Sequence, residues 1–518
     1  MTSFLQRLGS AILGVLSGFD RIRLRGTLPR LSNTGSFYRW LEAARVPLKD
    51  FSAYTQARTK QLRETIEAKA EQAGRPVEYL AGYTDKEALV QRRLQSDGAA
   101  PGGLVCAFST LENCTSYDVY RNPKTHTLEL RRGPRKCLHY YAYFLDRRFG
   151  LAQVRLQTWF PFNTHVVLNG REWLARDLDQ RGIGYQRRDN CFTWIEDFAQ
   201  AQELADRQVR IDWEAELDRL LRRVLPPRRI WLPEDDYYWT AEQTEWATDL
   251  AFRDADTLAG LYAPLIRRGI ESFSSEDVLR FLGRHVTAKG QVPPQFQDEV
   301  TSDLKRRPEG VRIKHRAGRN TVKLYDKQGS VLRVETTLNE VKGLKSYRAA
   351  ADDPGGPRQW RPMRKGVAEM PRRAELSQAS NERYLEALGG LPTDEPLSRA
   401  VGKFCRAVVV EGRRYRALNP LGADDARLLE AVGRGEWLVA GFRNRDIRRA
   451  LFGEARDEAT RRRQAGRVTR LLGLLRAHGL IKKVPRTHRY LLTVEGTSVI
   501  PALLAVNNAT LGQLNSAA

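Results

Sequence analysis

Val322–Thr337 reads VKLYDKQGSVLRVETT, two alternating runs that meet at a glycine. Apolar and aromatic residues at every second position suit strands, in which successive side chains point to opposite faces. A three-residue turn over Lys327, Gln328 and Gly329 puts the glycine where a left-handed backbone and a bulge are expected. That turn sets the faces: Val322, Leu324, Leu332 and Val334 share one, and Lys323, Tyr325, Val331, Arg333 and Glu335 share the other. A two-residue turn would mix the two sets. In this register Glu335 stands opposite Thr321, four residues from Tyr325, or roughly 13 Å along the strand.

The hairpin sits in a chain of 518 residues, long enough for two to four domains. Apolar residues make up 41%, with 10 Trp, 18 Tyr and 18 Phe, which is enough to build cores and excludes global disorder. Lys plus Arg number 86 against 62 Asp plus Glu, a formal charge of +24 that calls for an anionic partner, nucleic acid first. No apolar run approaches the roughly 18 residues of a membrane span. The opening MTSFLQRLGSAILGVLSGFDRIRLRG has no small-residue cleavage site, so no signal peptide is expected. Five cysteines, odd in number and without CxxC spacing, support neither a disulfide framework nor a zinc ribbon, and a cytoplasmic location is expected.

The pattern predicts an α/β or α+β multidomain protein, a mixed sheet core with helices. Residues 1–100 read as a helical N-terminal region. Residues 101–230 read as a mixed α/β core that opens on a hairpin turned at NPKTH and includes a helix from about Arg171 closed by Gly182. Residues 231–348 read as helices plus the quoted hairpin, completing that core. Helical spacing runs over Ala199–Val224, Ala241–Ala251 and Ser275–Gly283, the last with Ser275 as N-cap. Residues 349–373, rich in Pro, Gly and charge, read as a basic linker before a C-terminal region, 374–518.

Between Arg443 and Arg489 stand 15 Lys or Arg against Asp446, Glu454, Asp457 and Glu458, a local charge of +11. Here the pattern gives helices at DDARLLEAVG, NRDIRRALF and EATRRRQAGRVTRLLGLLRAHG, then two short strands about a basic turn. In the longest helix Val468, Leu471, Leu472, Leu475 and Leu480 suit a core, while Arg461, Arg462, Arg463, Arg467 and Arg470 crowd its first half. This order, over about 424–498, resembles winged helix-turn-helix domains of the MarR-like regulator type. The resemblance implies a recognition helix for a major groove, with Lys482, Lys483, Arg486, His488 and Arg489 on the wing beside phosphates. It also implies a homodimer. Winged domains serve equally on RNA or as protein-docking modules.

VKLYDKQGSVLRVETTL in turn resembles the YDK and LR-E pattern of rolling-circle replication initiators of plasmid and filamentous-phage type. The resemblance implies a tyrosine that attacks a DNA phosphate beside a divalent metal. Carried onto this chain, Tyr325 is the nucleophile and Glu335 a metal ligand, with Lys327 near the phosphate. Apart from the resemblance, a hard cation such as Mg or Mn wants oxygen ligands like Glu335, and His315 suits it as a further ligand if the metal is manganese-like. Such a phenol needs a cation to become a phenolate, and Lys323 and Arg333 are at hand. The paired histidines of that family have no counterpart, since His139 and His165 stand singly. Two other readings remain: Tyr325 as a strand aromatic with Glu335 paired diagonally to Lys323, or a basic sheet face across which nucleic acid lies without chemistry.

RKCLHYYAYF and QTWFPFNTH join aromatics to Arg135, Lys136 and Arg155, either as a stacking platform or as core, core being favoured. Asp20, with Glu112 or Asp118, offers two-metal chemistry of the ribonuclease-H type. There is no P-loop, no GxGxxG opening a helix and no HExxH, so no nucleotide cofactor is expected. The expectation is a nucleic-acid-binding protein of mobile-element or plasmid-like type, acting as a metal-assisted DNA-nicking or transposase-like enzyme. The alternative is a non-catalytic DNA- or structured-RNA-binding protein, a scaffold or regulator.

Overall fold

The structure, a computed structural model, describes residues 2–9, 11–100, 102–225, 236–284, 300–307, 310–350, 352–389, 397–434, 437, 441–484 and 487–510. The chain forms two compact units. One comprises Met1–Gly14, Leu250–Thr336 and Gln378–Ala518, and the other Val15–Asp249 and Thr337–Ser377.

After α1 (Thr2–Leu8) comes β1 (Ile12–Thr27), a strand where a helical region was expected. Its period is two over the second half: Ile22 and Leu24 are buried, and Arg21 and Arg23 are exposed. Helices do follow, as α2 (Thr34–Ala43), α3 (Phe51–Gln72) and α4 (Lys86–Ser96), with β2 (Glu78–Tyr79) between the last two. A long hairpin of β3 (Leu104–Arg121) and β4 (Leu128–Asp146) turns at the expected NPKT, and β5 (Gly150–Gln157) and β6 (Thr164–Asn169) continue the sheet. The Asn169 side chain caps α5 (Gly170–Arg181), and Gly182 closes it at φ 67°, a conformation that favours glycine. The short pair β7 (Tyr185–Arg188) and β8 (Cys191–Ile195) leads into α6 (Phe198–Gln208) and α7 (Trp213–Val224).

Next, Tyr238–Phe252 is β9, which corrects the helix expected over 241–251. Alanine and acids gave the segment a helical look, but Trp246 to Phe252 are buried in succession, so a strand covered on both faces shows no alternation. The strand order in the second unit is β9-β1-β6-β5-β4-β3-β2. Neighbours from β1 to β3 are antiparallel, and β2 runs parallel to β3, so the sheet is mixed. One sheet face places Ile22, Leu24, Val154, Leu156, Val166 and Leu168 in a core with Phe37 and Trp40 of α2, Leu62 of α3 and Leu217 of α7. Full burial of each such side chain contributes roughly 1.5–3 kcal/mol.

In the first unit, α8 (Ala255–Glu271) and α9 (Ser275–Phe281) precede an antiparallel run. The cap of α9 is Ser274 rather than Ser275, in a capping box with Asp277. The run is β10 (Val300–Arg307), β11 (Gly310–Ala317), β12 (Asn320–Lys327) and β13 (Val331–Leu338), adjacent in that order.

The stretch expected as a linker instead contributes to a hairpin in the second unit. There β14 (Lys345–Arg348) pairs with β15 (Gln359–Pro362), the Tyr347 and Trp360 rings 5.5 Å apart, before α10 (Met370–Leu388). The prolines and glycines lie mostly in the connection between those two strands.

The C-terminal part of the first unit holds α11 (Leu397–Gly402), the pair β16 (Val408–Val410) and β17 (Arg413–Tyr415), and α12 (Ala423–Val432). It continues with β18 (Phe442–Arg443), α13 (Asn444–Phe452), α14 (Glu458–Ala477), β19 (Ile481–Lys483), β20 (Arg489–Leu492) and α15 (Val494–Asn508). Val468, Leu472 and Leu475 of α14 recur at helical spacing and pack with Leu428, Leu429, Ile447, Leu480 and Ile500. The three strands pair in the order β18-β20-β19. Among the described residues no helix is long and apolar enough to cross a membrane.

Candidate nucleic-acid interface

Directly paired residues of antiparallel strands share a face, so the β10–β12 register sorts the side chains of the run. Lys305 pairs with Arg312, which pairs with Tyr325; Asp303 pairs with Lys314, which pairs with Lys323; Thr301 pairs with Arg316, which pairs with Thr321. Among these paired residues one face carries Lys305, Arg312, Lys314, Lys323 and Arg316 against Asp303, and Lys323 is held by Glu335 of β13. Lys305 and Arg316 are exposed, while Arg312, Lys314 and Lys323 are half-buried. Burial lowers the Lys314 pKa, and the charges of Lys323, Arg312 and Arg316 lower it further, as expected for crowded cations.

The hairpin differs from its sequence reading in one step. β12 extends through Lys327 and β13 starts at Val331, so the connecting residues are Gln328, Gly329 and Ser330. Gln328 and Gly329 have φ of 63° and 76°, and the Asp326 carboxylate accepts from the Gly329 N–H at 3.0 Å. Moving a three-residue loop by one position keeps the faces and slides the partners by two. Glu335 then meets Lys323 rather than Thr321. The Lys323 ammonium donates to Glu335 Oε1 at 2.5 Å, and the Tyr325 hydroxyl donates to Oε2 at 2.6 Å. The separation of roughly 13 Å inferred for Tyr325 and Glu335 is thus corrected to direct contact. Burial works to raise the Glu335 pKa, but the Lys323 charge and the two hydrogen bonds outweigh it and hold the carboxyl below its usual range.

This contact favours a protonated Tyr325, because a phenolate would face an ionised carboxylate. Ordinary phenol and carboxyl pKa values differ by about six units, so proton transfer to Glu335 alone would run uphill by about 8 kcal/mol. Tyr325 is also 8% exposed. Arg333, expected on a phosphate, is fully buried and serves the interior.

His315 cannot join Glu335. It pairs with Val322, on the apolar face, whereas Glu335 contacts Lys323 and Tyr325 on the polar one. Both its ring nitrogens are engaged, Nδ1 with Ser302 Oγ at 2.7 Å and Nε2 with the Tyr384 hydroxyl at 2.9 Å, among Phe273 and Phe281. Burial pushes its pKa down to about 4. The expected ligand role is replaced by a structural one.

On α14 the arginines lie as the sequence reading has them. Arg461, Arg462, Arg463, Arg467 and Arg470 are exposed, and Arg463, Arg467 and Arg470 form an i, i+4, i+7 stripe on the side away from Val468, Leu472 and Leu475. Arg461 and Arg462 share Glu458, at 2.6 and 3.2 Å, and Arg467 lies 5.6 Å from the centre of the Phe452 ring. Lys482 and Lys483 are exposed on β19, His488 is exposed and Arg489 half-buried, while Arg486 lies outside the described residues.

In the second unit the sheet face opposite Ile22 and Leu24 carries a row of paired charges that sequence reading saw only as fragments. Arg25, His165, Arg155 and Tyr141 stand side by side in register across β1, β6, β5 and β4. His165 Nε2 is 3.4 Å from Glu242, and Arg155 donates to Glu112 at 2.6 Å, as does the Tyr141 hydroxyl. The hydrogen bond from His165 holds Glu242 below its usual range, assisted by Arg25 and Arg23. The aromatics Tyr140, Tyr143, Phe144, Phe160 and Phe162 are buried, as the core reading expects.

Glu112 is committed to this row, and Asp118 pairs with Arg135 at 3.1 Å, so neither joins Asp20. The Asp20 carboxylate instead lies within 4.8 Å of that of Glu245, and Asn190 Nδ2 donates to both Asp20 oxygens at 2.7 Å. Two carboxylates this close repel, and hard cations with oxygen ligands relieve such repulsion. The sequence hid the pair because 245 lies in the segment read as helix.

Compared with protein-family models, curated proteins and solved structures, the chain matches none.

Proposed function

We propose that the protein binds nucleic acid, with α14 as its principal contact and a mobile-element or plasmid-like role. The observation that carries this reading is the exposed arginine stripe of α14, set opposite the helix's own apolar stripe. A helix so divided packs on one side and offers phosphate-binding guanidiniums on the other. The order of α12, β18, α13, α14, β19 and β20, with strands arranged β18-β20-β19, supports a winged helix-turn-helix reading of this module. The cationic face of β10–β12 is a second phosphate-binding surface. Purifying the protein gently from its host and sequencing the nucleic acid that accompanies it tests the proposal. Enriched DNA or RNA is expected, and recovery of none contradicts the reading.

A second reading, metal-assisted strand cleavage through Tyr325, draws on one observation, the 2.6 Å contact of its hydroxyl with Glu335. In it Glu335 accepts the proton as the phenolic oxygen attacks phosphorus, the 3′ oxygen leaves, and the strand stays joined to Tyr325 through its 5′ phosphate. A divalent cation, Mg or Mn, would supply the charge that makes the phenolate accessible. The carboxylate beside Tyr325 that suits such an ion is Glu335. A covalent adduct with DNA that disappears in Tyr325→Phe is expected, and an adduct that survives the substitution removes Tyr325 from the reading.

A further inference from the structure

Between α13 and α14 lies a cleft of about 530 Å³ lined by Arg445, Arg448, Arg449, Arg461 and Arg462 together with Glu458. The two helices are pinned by Asn444, whose side-chain amide donates to the Ala465 carbonyl at 3.0 Å and to Thr469 Oγ1 at 2.9 Å. Arg448 is nearly buried, donating to the Gly453 carbonyl at 3.3 Å and to Gln464 at 3.2 Å, and it lies 3.9 Å from Glu454. The other four are about half exposed or more and pair with carboxylates at the margin: Arg445 with Asp446, Arg449 with Glu454, and Arg461 and Arg462 both with Glu458. Five guanidiniums thus face three carboxylates, and the cleft keeps two positive charges. Single ion pairs in such exposure contribute little to folding, so stability alone does not explain five arginines converging on one hollow.

We propose that this cleft binds a dianionic phosphate group, the terminal phosphate of a nucleic-acid strand or the polyphosphate of a free nucleotide. Two uncompensated charges match a phosphomonoester better than the single charge of an internal diester. Guanidiniums offer forked donors that suit phosphate oxygens, and Glu458 can release Arg461 and Arg462 toward a stronger anion. The volume falls in the range of small-molecule sites, large enough for a phosphate with its sugar. For a strand end as the source, the inference rests on the nucleic-acid reading of α14; for a free nucleotide it stands alone.

The test compares, on the full-length protein, one single-stranded oligonucleotide carrying either a 5′-phosphate or a 5′-hydroxyl, with ATP and inorganic pyrophosphate titrated separately. The phosphorylated strand is expected to bind roughly tenfold more tightly, an advantage lost in Arg445→Ala/Arg462→Ala and partly kept in Arg445→Lys/Arg462→Lys. Equal binding of both strands, with ATP and pyrophosphate binding absent or unchanged in the alanine variant, overturns the cleft inference and leaves the nucleic-acid reading standing. If neither strand binds but ATP or pyrophosphate does, and the alanine variant abolishes it, the nucleic-acid reading fails and the cleft is a free-nucleotide site. Loss of all binding to strands and free anions in the unsubstituted protein overturns both.

Discussion

Replacing Glu335 by Gln tests the hairpin most sharply, because the substitution keeps volume while removing the charge that two donors share. Glu335 accepts from Lys323 at 2.5 Å and from Tyr325 at 2.6 Å, with its side chain 4% exposed and that of Lys323 15%. An amide has one acceptor oxygen, so one donor comes to face an N–H₂ group. Hydrogen bonds to a charged group contribute about 1.5–3 kcal/mol each, and breaking a buried pair costs about 3–5 kcal/mol. With volume preserved, the lower part of that range applies, about 3 kcal/mol. Urea denaturation followed by tryptophan fluorescence should show a lower midpoint at unchanged slope. The cycle with Lys323→Met should show coupling of at least about 1 kcal/mol. Removing both charges together, as Lys323→Met/Glu335→Leu, should recover much of the loss, since desolvation nearly offsets attraction in such pairs. A Glu335→Gln protein within about 0.5 kcal/mol of the parent would refute the shared-acceptor geometry.

Further outcomes follow from other buried groups. His315 has a folded pKa of about 4 against roughly 6.5 when unfolded. It is neutral in both states above pH 6.5, so its effect appears only below, where the unfolded chain takes up a proton that the folded chain refuses. Between about pH 6.5 and 4 it should therefore remove up to about 3 kcal/mol, measured as the difference in pH dependence between the parent and His315→Gln; parallel curves would contradict the buried, neutral ring. Leu475→Ala, at a fully buried site in the C-terminal core, should cost about 3–5 kcal/mol. Thermal unfolding that leaves that core intact would show Leu475 is not packed as described.

The sequence made the hairpin legible because its apolar residues alternate on one clear face, and Gly329 marked the turn. It did not reveal the strand ends, because Gln328 gives little sign that it will adopt a positive φ; one misplaced residue in the loop moved Glu335 by two positions and hid the contact that matters most. The arginines of α14 were readable because a helix with one buried stripe divides its residues visibly. β9 was not, since a strand buried on both faces has no period to detect. Asp20 and Glu245 are separated by most of the second unit, and only the pairing of distant strands brings them together. His315 illustrates the converse: its residue type suits a metal, but register turns it toward Ser302 and Tyr384.

The most direct measurement is affinity for a fixed DNA or RNA duplex as a function of salt, comparing the parent with Arg463→Glu/Arg467→Glu/Arg470→Glu. Each phosphate neutralised adds about 0.9 to the slope of log affinity against log salt on duplex DNA. A steep slope in the parent, shallower by roughly two to three in the triple variant while the far-ultraviolet spectrum is unchanged, is expected if α14 meets the phosphate backbone. Identical slopes and affinities in the two proteins would contradict α14 as the nucleic-acid contact.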